Sequence, residues 1–201
     1  MRRVSIASIV EGDGEVEAVP VLLRRLVQEI DPTLYVLHFP EPIRISRAKI
    51  VKEGELERYL TLAAGKISPK GAILILLDAD ENCPATLAPQ LLQRALAARS
   101  DLPISVVLAK QEYEAWFLAA AESLRNQQGL STTLEPPPDP EGIRGAKEWL
   151  RKHMEGSRTY RETVDQKALT YLFDLQTARQ APSFDKMYRE IQRLLDELDR
   201  P

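Results

Sequence analysis

The sequence is poor in the side chains that build disulfides and soft-metal sites. It has one cysteine, Cys83, and two histidines among its 201 residues. A single cysteine excludes an internal disulfide and a zinc site of several cysteines. His38 and His153 have no partners at metal-ligand spacing, so we expect them to be structural or exposed, and Cys83 to be buried or half-buried without a catalytic role. We infer that any chemistry of this chain rests on carboxylates.

Long apolar runs and a strong excess of one charge are also missing. No apolar run approaches about 18 residues, so no transmembrane helix is expected. The first apolar run ends at Val10 and Glu11 follows without a cleavage-like site, which argues against a signal peptide and predicts a cytoplasmic protein with no membrane partner. The formal net charge of −3 argues against metal-free, charge-driven binding of nucleic acid.

What the sequence does contain is an alternation of short apolar runs and helical patterns. Such alternation predicts an α/β fold with a mostly parallel four-stranded sheet and helices on both faces. The strands are predicted over 4–10, 34–39 (continuing over 43–45), 72–77 and 104–109. Helices are expected between them, ending at 30 and spanning 52–66, 86–99 and 113–125.

The last third of the chain has helical patterns only. We predict an α/β core over 1–128, a stiff, exposed connector over 129–142 that carries four prolines, and a helical C-terminal subdomain over 143–201. Its helices are expected over 146–154, 165–179 and 183–199, with Ser183 as the N-cap of the last one.

Acidic residues follow three of the four predicted strands. They are Glu11 after the first, Asp78 and Asp80 after the third, and Glu112 and Glu114 after the fourth. Ligands of open parallel sheets bind outside the carboxyl ends of the strands, so these acids converge if their strands are neighbours. Strand alternation places Asp78 and Asp80 on the same side. Clustered carboxylates suit Mg²⁺, which takes oxygen ligands and leaves positions for phosphate oxygens.

Each of these residues also has a purely structural interpretation. Glu11 could accept turn N–H groups, and Asp78 and Asp80 could serve as turn or cap residues. Acids in a first helical turn, such as Glu15 or the pair Glu112 and Glu114, complement the helix dipole. Gly12 and Gly14 either form a tight turn or let a phosphate approach a helix N-terminus.

Two basic stretches, 44–52 and 144–161, are either solvated surface or contacts for a polyanion.

Several motifs together resemble a known superfamily. The Val-Glu-Gly-Asp-Gly-Glu run over 10–15 and the Asp-Ala-Asp run over 78–80 resemble the signature of the Toprim (topoisomerase–primase) fold. The runs over 111–119, 145–150 and 182–184 resemble a family of standalone bacterial Toprim-like proteins, which is similar to the nuclease domain of OLD-type proteins.

This resemblance implies roles for individual residues. Glu11 would be a catalytic acid and metal ligand, Asp78 and Asp80 would hold Mg²⁺ or Mn²⁺, and Glu114 would be a further catalytic acid. Lys147, with Gly12 and Gly14, would face phosphate, and Glu15 and Glu112 are secondary candidates. Relatives of this kind often act beside an ATPase, so a partner ATPase is a further expectation.

Three functions are compatible with this pattern. The leading hypothesis is a Mg²⁺-dependent phosphodiester hydrolase or phosphotransferase that acts on nucleic acid. The alternative is a noncatalytic, Toprim-shaped interaction or regulatory module that works with a partner ATPase. A small-molecule phosphatase with Asp78 as nucleophile is disfavoured, because that chemistry usually places its Asp-x-Asp on the first strand. A metal site requires the carboxylates of Glu11, Asp78 and Asp80 to lie about 4 to 7 Å apart.

Overall fold

The computed structural model describes residues 3–34, 36–68, 70–80 and 83–200, and within them the chain forms an α/β fold. A parallel sheet has the strand order β2-β1-β4-β5, and a short β3 also pairs with β1. The strands are β1 (Arg3–Val10), β2 (Val36–His38), β3 (Ile43–Arg44), β4 (Ala72–Asp78) and β5 (Ile104–Ala109). The predicted fold class is confirmed, with the second predicted strand divided into β2 and β3.

Helices cover both faces of the sheet, as the apolar strands require. Those of eight or more residues are α1 (Asp13–Ile30), α3 (Glu55–Ala64), α4 (Pro84–Ala98), α7 (Glu162–Leu172) and α9 (Pro182–Leu198). The shorter ones are α2 (Arg47–Ile50), α5 (Ala115–Ala119), α6 (Ala146–Lys152) and α8 (Leu175–Ala178), with 3₁₀ turns at Ala121–Leu124 and Pro140–Gly142.

Two apolar cores lie on the two faces of the sheet. Alternate residues of β4 belong to opposite cores, Ile73 and Ile75 to one and Leu74 and Leu76 to the other. Helices α3 and α4 complete the first core, whereas α1, α5 and the C-terminal helices complete the second. The register pairs Ile9 of β1 with Ile75 of β4, so the strands end at a common edge.

Three predicted helices differ in the structure. The helix expected over 52–66 is α3, which begins only at Glu55, after Gly54 in the left-handed region at φ 79°. The helix expected over 113–125 becomes α5 and a 3₁₀ turn. The one expected over 165–179 breaks before Asp174, whose carboxylate caps α8 by accepting the Thr177 N–H at 2.6 Å.

The proline-rich segment over 129–142 is not wholly exposed, contrary to expectation. Leu130, Leu134 and Glu141 are buried within it, and both leucines belong to the core shared by α1 and α9. The boundaries of a separate C-terminal subdomain remain a prediction.

Ser183 is not the N-cap of α9, because the helix begins one residue earlier, at Pro182, and Ala181 is the cap. The Ser183 hydroxyl instead accepts the indole N–H of Trp116 at 2.8 Å.

Within the described ranges, no helix is both long enough and apolar enough to cross a membrane.

Candidate functional site

The acids predicted at strand ends follow three adjacent strands. Strand β4 lies between β1 and β5, so Glu11, Asp78 and Glu114 all come from the carboxyl edge of the same part of the sheet. The convergence expected for neighbouring strands therefore applies to this edge. Each acid, however, has its own set of partners.

Glu15 closes the turn between β1 and α1. Its carboxylate accepts the backbone N–H groups of Glu11 at 3.0 Å and Gly12 at 3.1 Å, so beyond the dipole complementation considered for it, Glu15 caps the start of α1. The side chain is also buried, and burial together with the nearby Glu162 carboxylate raises its pKa to about 7. Glu15 is thus both a cap and a buried, titratable group.

The Glu11 carboxylate, in the same turn, contacts the start of α2. One oxygen, Oε1, accepts the backbone N–H of Arg47 at 3.1 Å. The second, Oε2, is buried and has no hydrogen-bond partner. A buried carboxylate oxygen without a donor is costly, so Oε2 is an available ligand or proton acceptor.

Asp78 is the last residue of β4 and contacts the chain beyond β5. Its Oδ1 accepts the backbone N–H of Tyr113 at 2.9 Å. Burial and the negative charges of Glu15 and Glu114 raise its pKa well above the ordinary value of 3.8. Asp78 therefore belongs to one electrostatic group with these two glutamates.

Asp80 does not continue the strand alternation, and the expected same-side pair with Asp78 is wrong. The backbone turns at Asp80, which has φ 45°, so the period-two pattern of the strand ends before it. Its half-exposed carboxylate accepts Nη2 of Arg47 at 2.6 Å. The same guanidinium donates through Nη1 to the carbonyl oxygens of Asp78 and Ala79, at 3.1 and 2.7 Å.

Glu114 is fully buried behind the strand ends. Its Oε1 accepts the Tyr160 hydroxyl at 2.8 Å and the Gln166 amide N–H at 3.2 Å, whereas Oε2 has no hydrogen-bond partner. Burial raises its pKa to about 7, against the lowering effects of the Lys147 charge and the Tyr160 hydrogen bond.

Lys147 is the cation that pairs with carboxylates of this site. Its Nζ lies 2.8 Å from Oε2 of Glu162 and 4.0 Å from Oε2 of Glu114. Burial lowers the pKa of Lys147, but the attraction of Glu114, Glu162 and Asp78 outweighs it and raises the pKa on balance. Lys147 therefore stays charged. We call Glu15, Asp78, Glu114, Glu162 and Lys147 the carboxylate cluster.

The two glycines of the turn contact this cluster through their backbone N–H groups, and Glu112 contacts it through its carboxylate. The Gly12 N–H donates to Glu15, and the Gly14 N–H to Oε1 of Glu162 at 3.5 Å, so carboxylates of the chain itself lie at the helix N-terminus where phosphate was expected. The Glu112 carboxylate accepts the backbone N–H of Lys147 at 3.2 Å, which ties the first turn of α6 to the end of β5.

Three residues of this site were not found by sequence reasoning: Tyr160, Glu162 and Gln166. Tyr160 precedes α7, Glu162 is the first residue of α7 and Gln166 lies within it, far along the chain from the strand ends, and α7 packs on α1. The only signal that could have found them is the small size of Gly14, where an added Cβ would collide with the side chains of Gln166 and Glu162.

Arg47 and Lys147 are the members of the two basic stretches that reach this edge through ion pairs with Asp80 and Glu162. Arg44 also lies at this edge, where its Nε donates to the Glu11 carbonyl at 3.3 Å and its guanidinium pairs with Asp13, whereas Arg158 pairs with Asp165 of α7.

A family model matches residues 10–192, which include every member of the cluster. Its description is a domain of unknown function, DUF4276. The chain belongs to the DUF4276 family. No curated protein and no solved structure matches the chain.

Outside this site, the histidines of the DUF4276 chain have structural contacts, as expected. His38 hydrogen-bonds to the hydroxyl of Ser5 at 3.0 Å, and the ring of His153 stacks on Trp149. Cys83 is exposed, contrary to expectation, because it precedes α4 at the surface instead of packing beneath the helix.

Proposed function

We propose that the chain is a divalent-cation-dependent phosphodiester hydrolase or phosphotransferase that acts on nucleic acid through its carboxylate edge. The observation that carries this proposal is the crowding of carboxylates at that edge, which a divalent cation would relieve. Lys147 pairs with Glu162 and lies 4.0 Å from Glu114, and the oxygens Oε2 of Glu11 and Oε2 of Glu114 are buried without hydrogen-bond partners.

The chemistry of the donors fits a hard divalent cation. Glu11 and Asp78 are oxygen ligands, and Mg²⁺ is usually held by one or two carboxylates together with waters and substrate phosphates. Within the described part of the chain, no group of three or more acidic, histidine or cysteine side chains is arranged to hold a metal ion. The three-carboxylate arrangement expected of Glu11, Asp78 and Asp80 is therefore not formed. We propose that Glu11 and Asp78 hold the metal, and that Asp80 joins them only after release from Arg47.

A bound Mg²⁺ or Mn²⁺ would neutralise charge on the phosphate and lower the pKa of a bound water. The remaining roles belong to side chains of the chain itself. Oε2 of Glu11 is free to accept a proton from an attacking water. Lys147 and Arg47 are cations at this edge for phosphate oxygens. Glu114 is fully buried, so it acts as a positioning residue that holds Lys147 and is itself held by Tyr160.

The likeness of the motifs around Glu11, Asp78 and Glu114 to Toprim proteins and OLD-type nuclease domains is a second support for this proposal. The same resemblance implies a partner ATPase, which stays a prediction.

The direct test is a calorimetric titration of the protein with Mg²⁺ and Mn²⁺. We expect Asp78→Asn and Glu11→Gln to weaken binding at least tenfold, and Asp80→Asn to weaken it less because Asp80 is paired with Arg47. Asp101→Asn is the matched control, since Asp101 is an exposed carboxylate that pairs with Arg99 before β5. Unchanged affinity in both Asp78→Asn and Glu11→Gln would refute the metal assignment.

Catalysis is tested separately, with plasmid DNA, single-stranded DNA and RNA in the presence of Mn²⁺. We expect cleavage that Glu11→Gln abolishes and Asp101→Asn retains. Metal binding without cleavage of any of these substrates would refute the hydrolase and leave the metal site in place.

One observation favours a noncatalytic module as a second candidate. Arg47 pairs with Asp80, and Lys147 pairs with Glu162, so two cations already lie where metal and phosphate would bind. In such a module these pairs are permanent. Asp78→Asn would then leave metal affinity unchanged, and Mg²⁺ would not raise the melting temperature.

A further inference from the structure

Strand β5 forms one edge of the sheet, and part of that edge has no partner. In a parallel ladder, alternate residues of an edge strand direct both backbone groups toward the neighbouring strand. The carbonyls of Pro103 and Ala109 accept bonds from β4, so Ile104, Val106 and Leu108 direct their backbone groups away from it. This outward row is where a further strand could add.

Two side chains of α9 form hydrogen bonds with the backbone groups at the two ends of this row. The Ile104 carbonyl accepts Nη2 of Arg193 at 2.7 Å, and the Lys110 N–H donates to the Ser183 hydroxyl at 3.2 Å. Between them, the outward N–H and C=O groups of Val106 and Leu108 make no hydrogen bond to any described residue. Unpaired backbone groups at nearly buried residues are costly, so a partner strand that pairs with them would be favoured.

These unpaired groups lie in a groove between α4 and α9. The groove encloses about 580 Å³, and its lining is mainly apolar, including Ala88, Pro89 and Leu92 of α4 beside Val106 and Leu108. An apolar channel with unpaired main-chain donors and acceptors along its floor is the arrangement that binds extended peptides by strand addition. At about 3.3 Å per residue, roughly four peptide residues would span the unpaired groups.

The charges of the groove indicate the kind of peptide. Two lysines line it, Lys110 and Lys186. Lys186 pairs with Glu190 at 3.2 Å, whereas the exposed Lys110 forms no ion pair with a described residue. Among the described residues of the lining, Glu141 is the acidic one; it is buried, and its carboxylate accepts the Ser183 N–H at 2.8 Å. The exposed charge of the described lining is therefore positive.

We propose that this groove binds an extended, acidic peptide segment of a partner protein, which adds as a strand to β5 beside Val106 and Leu108. Its apolar side chains would face α4 and α9, and a carboxylate would face Lys110. The groove lies beside β5 and is lined by none of the cluster carboxylates, so this inference does not depend on the proposed phosphodiester chemistry.

The test begins with selection from a phage-displayed library of random ten-residue peptides on the whole protein. We expect the selected sequences to alternate apolar residues and to include aspartate or glutamate. Lys110→Glu should weaken the selected peptides at least tenfold, and Lys70→Glu, at an exposed lysine outside the groove, should not.

Three readouts separate strand addition from binding elsewhere. The selected peptide should slow hydrogen exchange of the Val106 and Leu108 amides, but not of Val107, whose N–H already faces β4. It should also slow thiol labelling of Cys83, the single cysteine, which lines the groove. Every second backbone nitrogen of the peptide can be methylated in two alternating patterns. Only the pattern that methylates the nitrogens facing β5 should abolish binding.

A matched pair of variants completes the test. Ala85→Trp places a large side chain at an exposed position of the groove lining, and Ala97→Trp does the same on α4 outside it. Equal peptide binding by these two variants would overturn the proposal, as would a library that yields no groove-dependent peptide. Slower hydrogen exchange of the Val106 and Leu108 amides at higher protein concentration, without any peptide, would also overturn it. The groove would then be occupied by a second copy of the chain.

Discussion

The burial of Glu114 has a measurable consequence for folding stability. The perturbation is Glu114→Gln, which removes the charge and keeps the shape of the side chain. The glutamine oxygen can still accept from the Tyr160 hydroxyl and the Gln166 amide, which contact Oε1 in the wild type. The change therefore isolates the cost of ionising a carboxyl group at a fully buried position.

The magnitude follows from the raised pKa. In the folded protein the pKa of Glu114 is about 7, against an ordinary value of 4.5. Because the folded state binds this proton more tightly, the stability it contributes is fully present below pH 4.5 and is lost as the pH rises through 7. At about 1.4 kcal/mol per pH unit, the loss is about 3 kcal/mol.

The assay is urea unfolding of the wild type and of Glu114→Gln at pH 5 and pH 8. We expect the wild type to lose about 2 to 3 kcal/mol more than the variant between these two pH values. A constant packing penalty in the variant cancels in this comparison. Glu122→Gln, at an exposed glutamate in the 3₁₀ turn that follows α5, is the control and should keep the wild-type pH dependence. An identical pH dependence in the wild type and Glu114→Gln would refute the reasoning.

Three further predictions concern contacts that hold the site together. Lys147→Met should lower the free energy of unfolding by about 3 kcal/mol at pH 8, because it leaves buried carboxylates without their cation. The loss should be smaller at pH 5, where those carboxylates are protonated, and urea unfolding at both pH values checks this. Gly14→Ala should cost about 1 to 3 kcal/mol in the same assay, since its Cβ would collide with Gln166, whereas Gly65→Ala should be nearly neutral. Trp116→Phe should lower the free energy of unfolding by about 1 to 3 kcal/mol, because a buried Ser183 hydroxyl loses its indole donor; unchanged circular-dichroism melting would contradict this.

Local patterns were sufficient for the strands of the sheet. Val4–Val10, Ala72–Leu77 and Ile104–Ala109 are short apolar runs that match β1, β4 and β5 within one residue. Burial on both faces requires such runs, so the hydrophobic pattern carries the information. The start of α3 after Gly54 and the break before Asp174 were less predictable, because helix ends depend on caps and packing.

The candidate site was only partly predictable for a physical reason. Residues that follow strand ends can be found from the pattern, since parallel strands bring their ends together, and this applies to Glu11, Asp78 and Glu114. Their partners come from distant helices. Neither Glu162 at the start of α7 nor the contact of Arg47 with Asp80 is marked by any local spacing.

Sequence pattern therefore accounts for the α/β class, the strand positions and the row of acids at one sheet edge, because periodicity and burial are local properties. The ionisation of those acids depends on tertiary packing. Helix α7 against α1 brings Glu162 beside Lys147, and burial raises the pKa of Glu15 and Glu114 to about 7. Desolvation is set by everything that surrounds a charge, and many of those neighbours come from other parts of the chain.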